Sequence, residues 1–173
     1  CIRDSMSADA IKTVDFPPAY GADIVVSCEK AKDPKNGSIY LKPTQFVLGI
    51  GCRRDTAFEN IDRAIRQSLL KLQIDISDID MIASIDVKKD EPGIKEFCDR
   101  NRIEFVTYTA DELMAVQGEF SASQFVREHV GVDNVCERAA VLAGSRKCNK
   151  AGELIYKKHK YDRVTVAAAR YPD

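Results

Sequence analysis

No C-x-x-C pair occurs in this sequence. Only two histidines, His129 and His159, accompany its six cysteines, Cys1, Cys28, Cys52, Cys98, Cys136 and Cys148. Zinc fingers, zinc ribbons and thioredoxin-like sites need ligands or thiols at short fixed spacing, so those classes are excluded. Scattered cysteines in a charged, intracellular-looking chain read as reduced, small core residues, and no protein-held metal is expected. An excess of one charge is also missing. Lys and Arg number 26 against 27 Asp and Glu, a formal net charge of -1, which argues against a strongly basic nucleic-acid binder. No apolar run approaches the roughly 20 residues that span a bilayer, and no signal peptide opens the chain. A cytoplasmic protein without membrane contact is the expectation.

What remains is ordinary for a globular chain, with 45% hydrophobic and 31% charged residues among 173. That length suits one domain with a smaller appendage. The chain begins with Cys1 rather than methionine, which reads as a piece of a longer or processed protein. Residues 1–45 hold four of the six prolines, Pro17, Pro18, Pro34 and Pro43. Together with Asn36-Gly37 they punctuate this stretch into short pieces, a connector or small subdomain remnant. Ile24 to Ser27 and Ile39 to Leu41 read as short strands within it.

From Phe46 the rhythm becomes alternating strands and helices. Phe46 to Ile50 is an apolar run stopped by Gly51, which suits a buried strand. Thr56 and Glu59 stand at capping-box spacing, and Ile61, Ala64, Ile65, Leu69 and Leu72 follow on one helical face. Met81 to Ile85 is the next strand, and Pro92 suits the first turn of a helix burying Ile94, Phe97 and Cys98. Ile103 to Tyr108 is a third strand, followed by a second capping-box pair, Thr109 and Glu112, before a short helix. Gly118 breaks that helix, Gln124 to His129 reads as another, and Val135 to Ala143 as a small-residue helix. Glu153 to Lys158 and Arg163 to Ala168 close the chain as an antiparallel pair. The expected fold is a three-layer α/β/α domain over residues 46–173 with a mixed sheet of about five strands.

Chemistry concentrates in three loops. Gly49-Ile50-Gly51-Cys52-Arg53-Arg54-Asp55-Thr56 joins a strand to a helix. Gly49 and Gly51 permit close backbone approach, and Arg53 and Arg54 offer planar donors to carboxylate or phosphate. A tight turn with two solvated arginines explains the same residues. The third glycine of a dinucleotide fingerprint and the Gly-Lys-Ser/Thr of a P-loop are both missing, so a nucleotide-binding module ranks last. Asp86 to Gly93 also follows a strand, at the end where α/β sheets bind ligands. It brings Lys88 and Glu91, which otherwise read as a charged helix start. Gly118 to Ser123 carries Ser121 and Ser123, as ligand contacts or as a helix cap. Glu137, on the small-residue helix, is either a base or an exposed helix-start carboxylate. His159, among lysines, reads as a solvated strand end.

Taken in order, these pieces resemble a family. They are Gly-Ile-Gly-Cys-Arg-Arg with Thr56, Lys-Lys-Asp-Glu-Pro-Gly from Lys88, and Ser-x-Ser-x-Phe-Val from Ser121. Val-x-Glu-x-Ala-Ala from Val135 and Val-Thr-Val-Ala-x-Ala-Arg ending at Arg170 complete the set. The combination is similar to the C-terminal domain of CbiG, shared with the single-domain CobE, both of cobalamin biosynthesis. It runs from about residue 46 to Arg170; residues 1–45 resemble the variable middle region of CbiG, and its large N-terminal domain is not present.

The resemblance implies the oxygen-independent pathway, where CbiG-like hydrolases open the lactone of cobalt-precorrin-5A, release acetaldehyde and give cobalt-precorrin-5B. The implied partner is a cobalt-containing tetrapyrrole polycarboxylate, with cobalt carried by the substrate and no further cofactor. Gly49, Gly51, Arg53, Arg54, Lys88, Ser121 and Ser123 would then bind substrate, and Glu91 or Glu137 would act as base. The N–H groups of Gly51 to Arg53 would face the carbonyl oxyanion. Catalytic groups from the N-terminal domain are an alternative source. The other class left open is a corrinoid-binding module without chemistry, as in CobE-like relatives.

Overall fold

The computed structural model describes residues 12–14, 23–26, 38–41, 46–121, 132–148 and 152–171. The chain divides into two compact units, Cys1–Thr44 and Gln45–Asp173. In the first unit β1 (Lys12–Val14), β2 (Asp23–Val26) and β3 (Ser38–Leu41) form a sheet in that order. β1 runs antiparallel to β2, and β2 parallel to β3.

The second unit is a five-stranded mixed sheet between helices. Its strands are β4 (Phe46–Cys52), β5 (Ile79–Ile85), β6 (Glu104–Tyr108), β7 (Glu153–Lys160) and β8 (Val164–Arg170), in the order β6-β5-β4-β8-β7. β4, β5 and β6 are mutually parallel, whereas β8 is antiparallel to both β4 and β7. Alternation of side chains sorts the sheet into two faces. Leu48, Ile50, Ile82, Val164, Val166 and Ala168 join one cluster with Ile61, Ile65, Ile94 and Phe97. Those last four belong to α1 (Phe58–Leu72) and α2 (Pro92–Asn101). Val47, Met81, Ala83 and Ile85 face the other way, against Leu113 of α3 (Ala110–Ala115) and Ala139 and Ala143 of α4 (Val135–Cys148). The layers are therefore α/β/α, as the alternation of elements predicts. Both faces of β4 are covered, which is why it reads as an unbroken apolar run.

Local chemistry sets the helix ends. Pro92 opens α2, where its missing N–H costs nothing, and Thr109 with Glu112 forms the expected capping box on α3. The box expected from Thr56 and Glu59 does not form. The N-cap of α1 is Ala57, without a side-chain cap, and the Thr56 hydroxyl donates to the Arg53 carbonyl at 2.7 Å. The Thr56 amide is claimed instead by Glu91 at 2.9 Å, from a loop 35 residues on. The helix expected over Gln124 to His129 lies outside the described residues.

Candidate functional site

The topology gathers five chain segments at one edge of the sheet. The carboxyl ends of the parallel strands β4 and β5 point there, and the end of β7 and the start of the antiparallel β8 meet them. The first turn of α4 enters from the other layer. Between them lies a cavity of about 440 Å³ lined by Gly51, Cys52 and Arg53, by Ile85, Val87 and Lys88, by Asn134 to Cys136, and by Lys158, Lys160 and Tyr161 with Arg163 to Thr165. Five of these side chains are cationic, Arg53, Lys88, Lys158, Lys160 and Arg163, and none is a carboxylate. A cationic hollow on a chain of net charge -1 is a local arrangement that composition conceals.

Main-chain bonds fix the rim. The Arg53 amide donates to the Arg163 carbonyl at 3.0 Å, and the Arg163 guanidinium donates to the Arg54 carbonyl at 3.2 Å. The Arg53 N–H is therefore spent and does not serve as an oxyanion donor. The Thr165 hydroxyl donates to the Gly51 carbonyl at 3.1 Å, and a Cβ on Gly51 would sit 2.7 Å from that hydroxyl. Gly49 has a different task from the one expected. It lies inside β4, and a Cβ there would come 1.7 Å from the Cys136 carbonyl, so it is where α4 crosses the strand, away from the cavity lining. Arg54 is exposed and outside the lining.

The two carboxylates nominated from sequence are buried, at 5% exposure for Glu91 and 0% for Glu137. Glu91 accepts from the Thr56 amide at 2.9 Å and from Lys88 Nζ at 2.8 Å, tying the first two loops together. Glu137 accepts the Ser121 amide at 2.8 Å, the Ser121 hydroxyl at 2.9 Å and the Lys158 amide at 2.6 Å. Asn134 caps α4, its Oδ1 accepting from the Glu137 amide at 3.0 Å while its Nδ2 donates to the Ser121 carbonyl at 2.8 Å. Lys158 Nζ donates to that same carbonyl at 3.1 Å. Ser121 thus touches the site through Lys158 and Glu137 without lining the cavity, and Ser123 lies outside the described residues.

Sequence reasoning brought Arg53, Lys88 and Gly51 to the site and missed Lys158, Lys160 and Arg163. The signal for these was the hairpin itself: an antiparallel end strand returns its turn to the edge where parallel strands end. His159 stacks on Tyr156, with ring centroids 4.1 Å apart, and its Nδ1 lies 2.8 Å from the Lys157 carbonyl. Burial pushes the Cys52 thiol up to about 11, with Lys88 pulling it back, so a thiolate nucleophile is not prepared here. Among the described residues no group of three or more His, Cys, Asp and Glu is placed to hold a metal ion, and no helix is long and apolar enough to cross a membrane.

Comparison with known proteins gives this geometry relatives. Residues 46–169 match the family described as Cobalamin synthesis G C-terminus. A cobalt-precorrin-5A hydrolase of Salmonella typhimurium is 38% identical over 102 residues, 59% of this chain and 29% of that protein. One from Priestia megaterium is 31% identical over 138 residues, 80% of this chain and 35% of its own length. The chain thus spans well under half the length of these curated relatives. Among solved structures, CobE, a protein from the cobalamin (vitamin B12) biosynthetic pathway, superposes with a TM-score of 0.70 at 26% identity, covering 75% of this chain and 92% of CobE. With the matched span starting at β4 and ending within β8, the strands that frame the cavity, the chain belongs to the cobalamin synthesis G C-terminal family.

Proposed function

We propose that this domain holds the carboxylates of a cobalt-containing tetrapyrrole, and that in a full-length hydrolase it presents cobalt-precorrin-5A for lactone opening. One observation carries the reading: a cavity with five cationic side chains and no carboxylate in its lining, at the sheet edge where α/β folds bind ligands. Arginine and lysine at such a mouth form charge-assisted hydrogen bonds with acetate and propionate groups. Cobalt arrives in the substrate, and no cofactor of the protein enters the proposal. Arg53 and Gly51 are retained as substrate contacts, and Lys88 as a lesser one, since its ammonium is paired with Glu91.

Lactone opening needs an activated water, an oxyanion site and a proton for the leaving alkoxide. Glu91 and Glu137 have their oxygens engaged by internal donors. In this reading they are positioning residues, and water activation comes from groups beyond the cavity lining. The same engagement favours the second reading, a corrinoid-holding module without chemistry, for this chain taken alone. Incubation with cobalt-precorrin-5A separates the two. A shift in the visible spectrum without acetaldehyde supports the holding role, acetaldehyde release assigns turnover to this chain, and an unchanged spectrum overturns the proposal.

A further inference from the structure

The lysine that sequence nominates, Lys88, spends its charge internally. Its ammonium lies 2.8 Å from Glu91 Oε2, with the two side chains only 14% and 4% exposed. Lys158 is held differently. Its backbone amide donates to Glu137 at 2.6 Å, and its ammonium donates to a neutral acceptor, the Ser121 carbonyl, at 3.1 Å. An ammonium has three N–H donors, and among the described residues one carbonyl engages this one, which leaves two donors and the full charge for the cavity. Most lysine side chains lose rotamer entropy when they grip a ligand. Anchoring at both ends means that much of this ordering has taken place before any ligand arrives. Glu137 is fully buried, accepts from both Ser121 and Lys158, and so sets the distance between that carbonyl acceptor and the strand that carries the lysine.

We propose that Lys158 is a pre-positioned ligand-holding cation of the cavity, set in place by Glu137 and Ser121, and that Lys88 serves mainly to hold Glu91, which joins the two glycine-bearing loops through the Thr56 amide. This rests on the tetrapyrrole-polycarboxylate reading above. The test is a visible-absorption titration of the 173-residue chain with cobalt uroporphyrin, a tetrapyrrole bearing acetate and propionate carboxylates. Lys158→Met keeps the backbone bond to Glu137 and removes only the ammonium. It should weaken binding about 10- to 100-fold, the range for one charge-assisted hydrogen bond, while Lys158→Arg recovers most of the loss. Lys88→Met should lose less than Lys158→Met. Glu137→Gln should weaken binding in the unaltered background and add nothing further when Lys158 is already Met, since its effect runs through that side chain. Lys158→Gln deletes the same charge should the Met variant not fold.

Wild-type affinity in Lys158→Met, an equal or larger loss in Lys88→Met, or a Glu137→Gln effect that persists without Lys158 would each overturn the inference while leaving the functional reading intact. Failure of the unaltered chain to bind overturns the functional reading, and this inference with it.

Discussion

A methyl group at Gly49 would lie 1.7 Å from the carbonyl oxygen of Cys136 and 3.0 Å from the amide nitrogen of Ala140. Both are backbone atoms of α4, so relief requires the whole helix to move off the sheet. Gly49→Ala should therefore destabilise the domain by about 1–3 kcal/mol or more, the range for overpacked cores. Gly144, on the same helix, would place its Cβ no nearer than 3.6 Å to any described residue outside that helix's own backbone. There the helix propensity of alanine decides the sign, and Gly144→Ala should stabilise by about 0.5–1 kcal/mol. Denaturant titration of the two variants reads both signs. The thiols give a pH dependence. Burial pushes Cys98 and Cys136 up to about 12 and Cys52 to about 11, from an ordinary value of 9.0. Above pH 9 the unfolded chain loses these protons while the folded chain keeps them, so stability falls as pH rises. The slope approaches about 1.4 kcal/mol per pH unit for each thiol until its folded value is reached. Stability measured between pH 6 and 8 should change by less than about 0.2 kcal/mol on their account, and alkylation at pH 8 should be slow until denaturant is added.

At the scale of elements, the fold was legible wherever a pattern was local. The apolar run of β4, the helical spacing of Ile61 to Leu69, Pro92 at the start of α2 and the Thr109–Glu112 box are each decided by neighbours in sequence. The start of α1 was not legible, because its amide donor meets a carboxylate 35 residues away. A local hydroxyl–carboxylate spacing was on offer, and the long-range partner won by being buried. Gly49 was misread for the same reason, since the strand carries no sign of the helix that crosses it. Glu59 should then matter little to α1 and Glu91 a great deal. Glu59→Ala should change stability by less than about 1 kcal/mol, the scale of an exposed helix-dipole term. Glu91→Ala strands the Thr56 amide and the Lys88 ammonium together, and breaking a buried pair from one side costs about 3–5 kcal/mol. The lower end applies, because Lys88 opens onto the cavity and can regain water. Thermal unfolding of the two variants gives the comparison directly. Comparable losses would restore the local capping box as the organiser of α1.

For the whole molecule, every residue lining the cavity belongs to the unit Gln45–Asp173, as do both hydrophobic layers flanking the sheet. That unit closes its own sheet topology: both helical layers are present, and the central strands β5, β4 and β8 each have a partner on either side. A chain of this size buries roughly two thirds of its unfolded surface, enough to stand without disulfides or metals. The CobE structure, 92% covered by the match, is an independent case of the same architecture in a single chain. Residues 45–173 expressed alone should therefore unfold in one cooperative transition, with the same denaturant midpoint for that transition as the 173-residue chain. They should also bind cobalt uroporphyrin with the same affinity, because the cations that line the cavity remain in place. Electrostatic attraction that depends on the local field weakens as salt shortens its reach, from about 10 Å at 0.1 M to about 3 Å at 1 M. Binding should thus fall with added salt to the same extent in both forms, each of formal net charge -1, since residues 1–44 carry as many Lys and Arg as Asp and Glu. Binding that rose with added salt, as net repulsion between a chain of charge -1 and a polycarboxylate predicts, would mean the cavity is not what attracts the ligand. A lowered midpoint or a second transition in residues 45–173 would mean that the first 44 residues contribute to this domain's core.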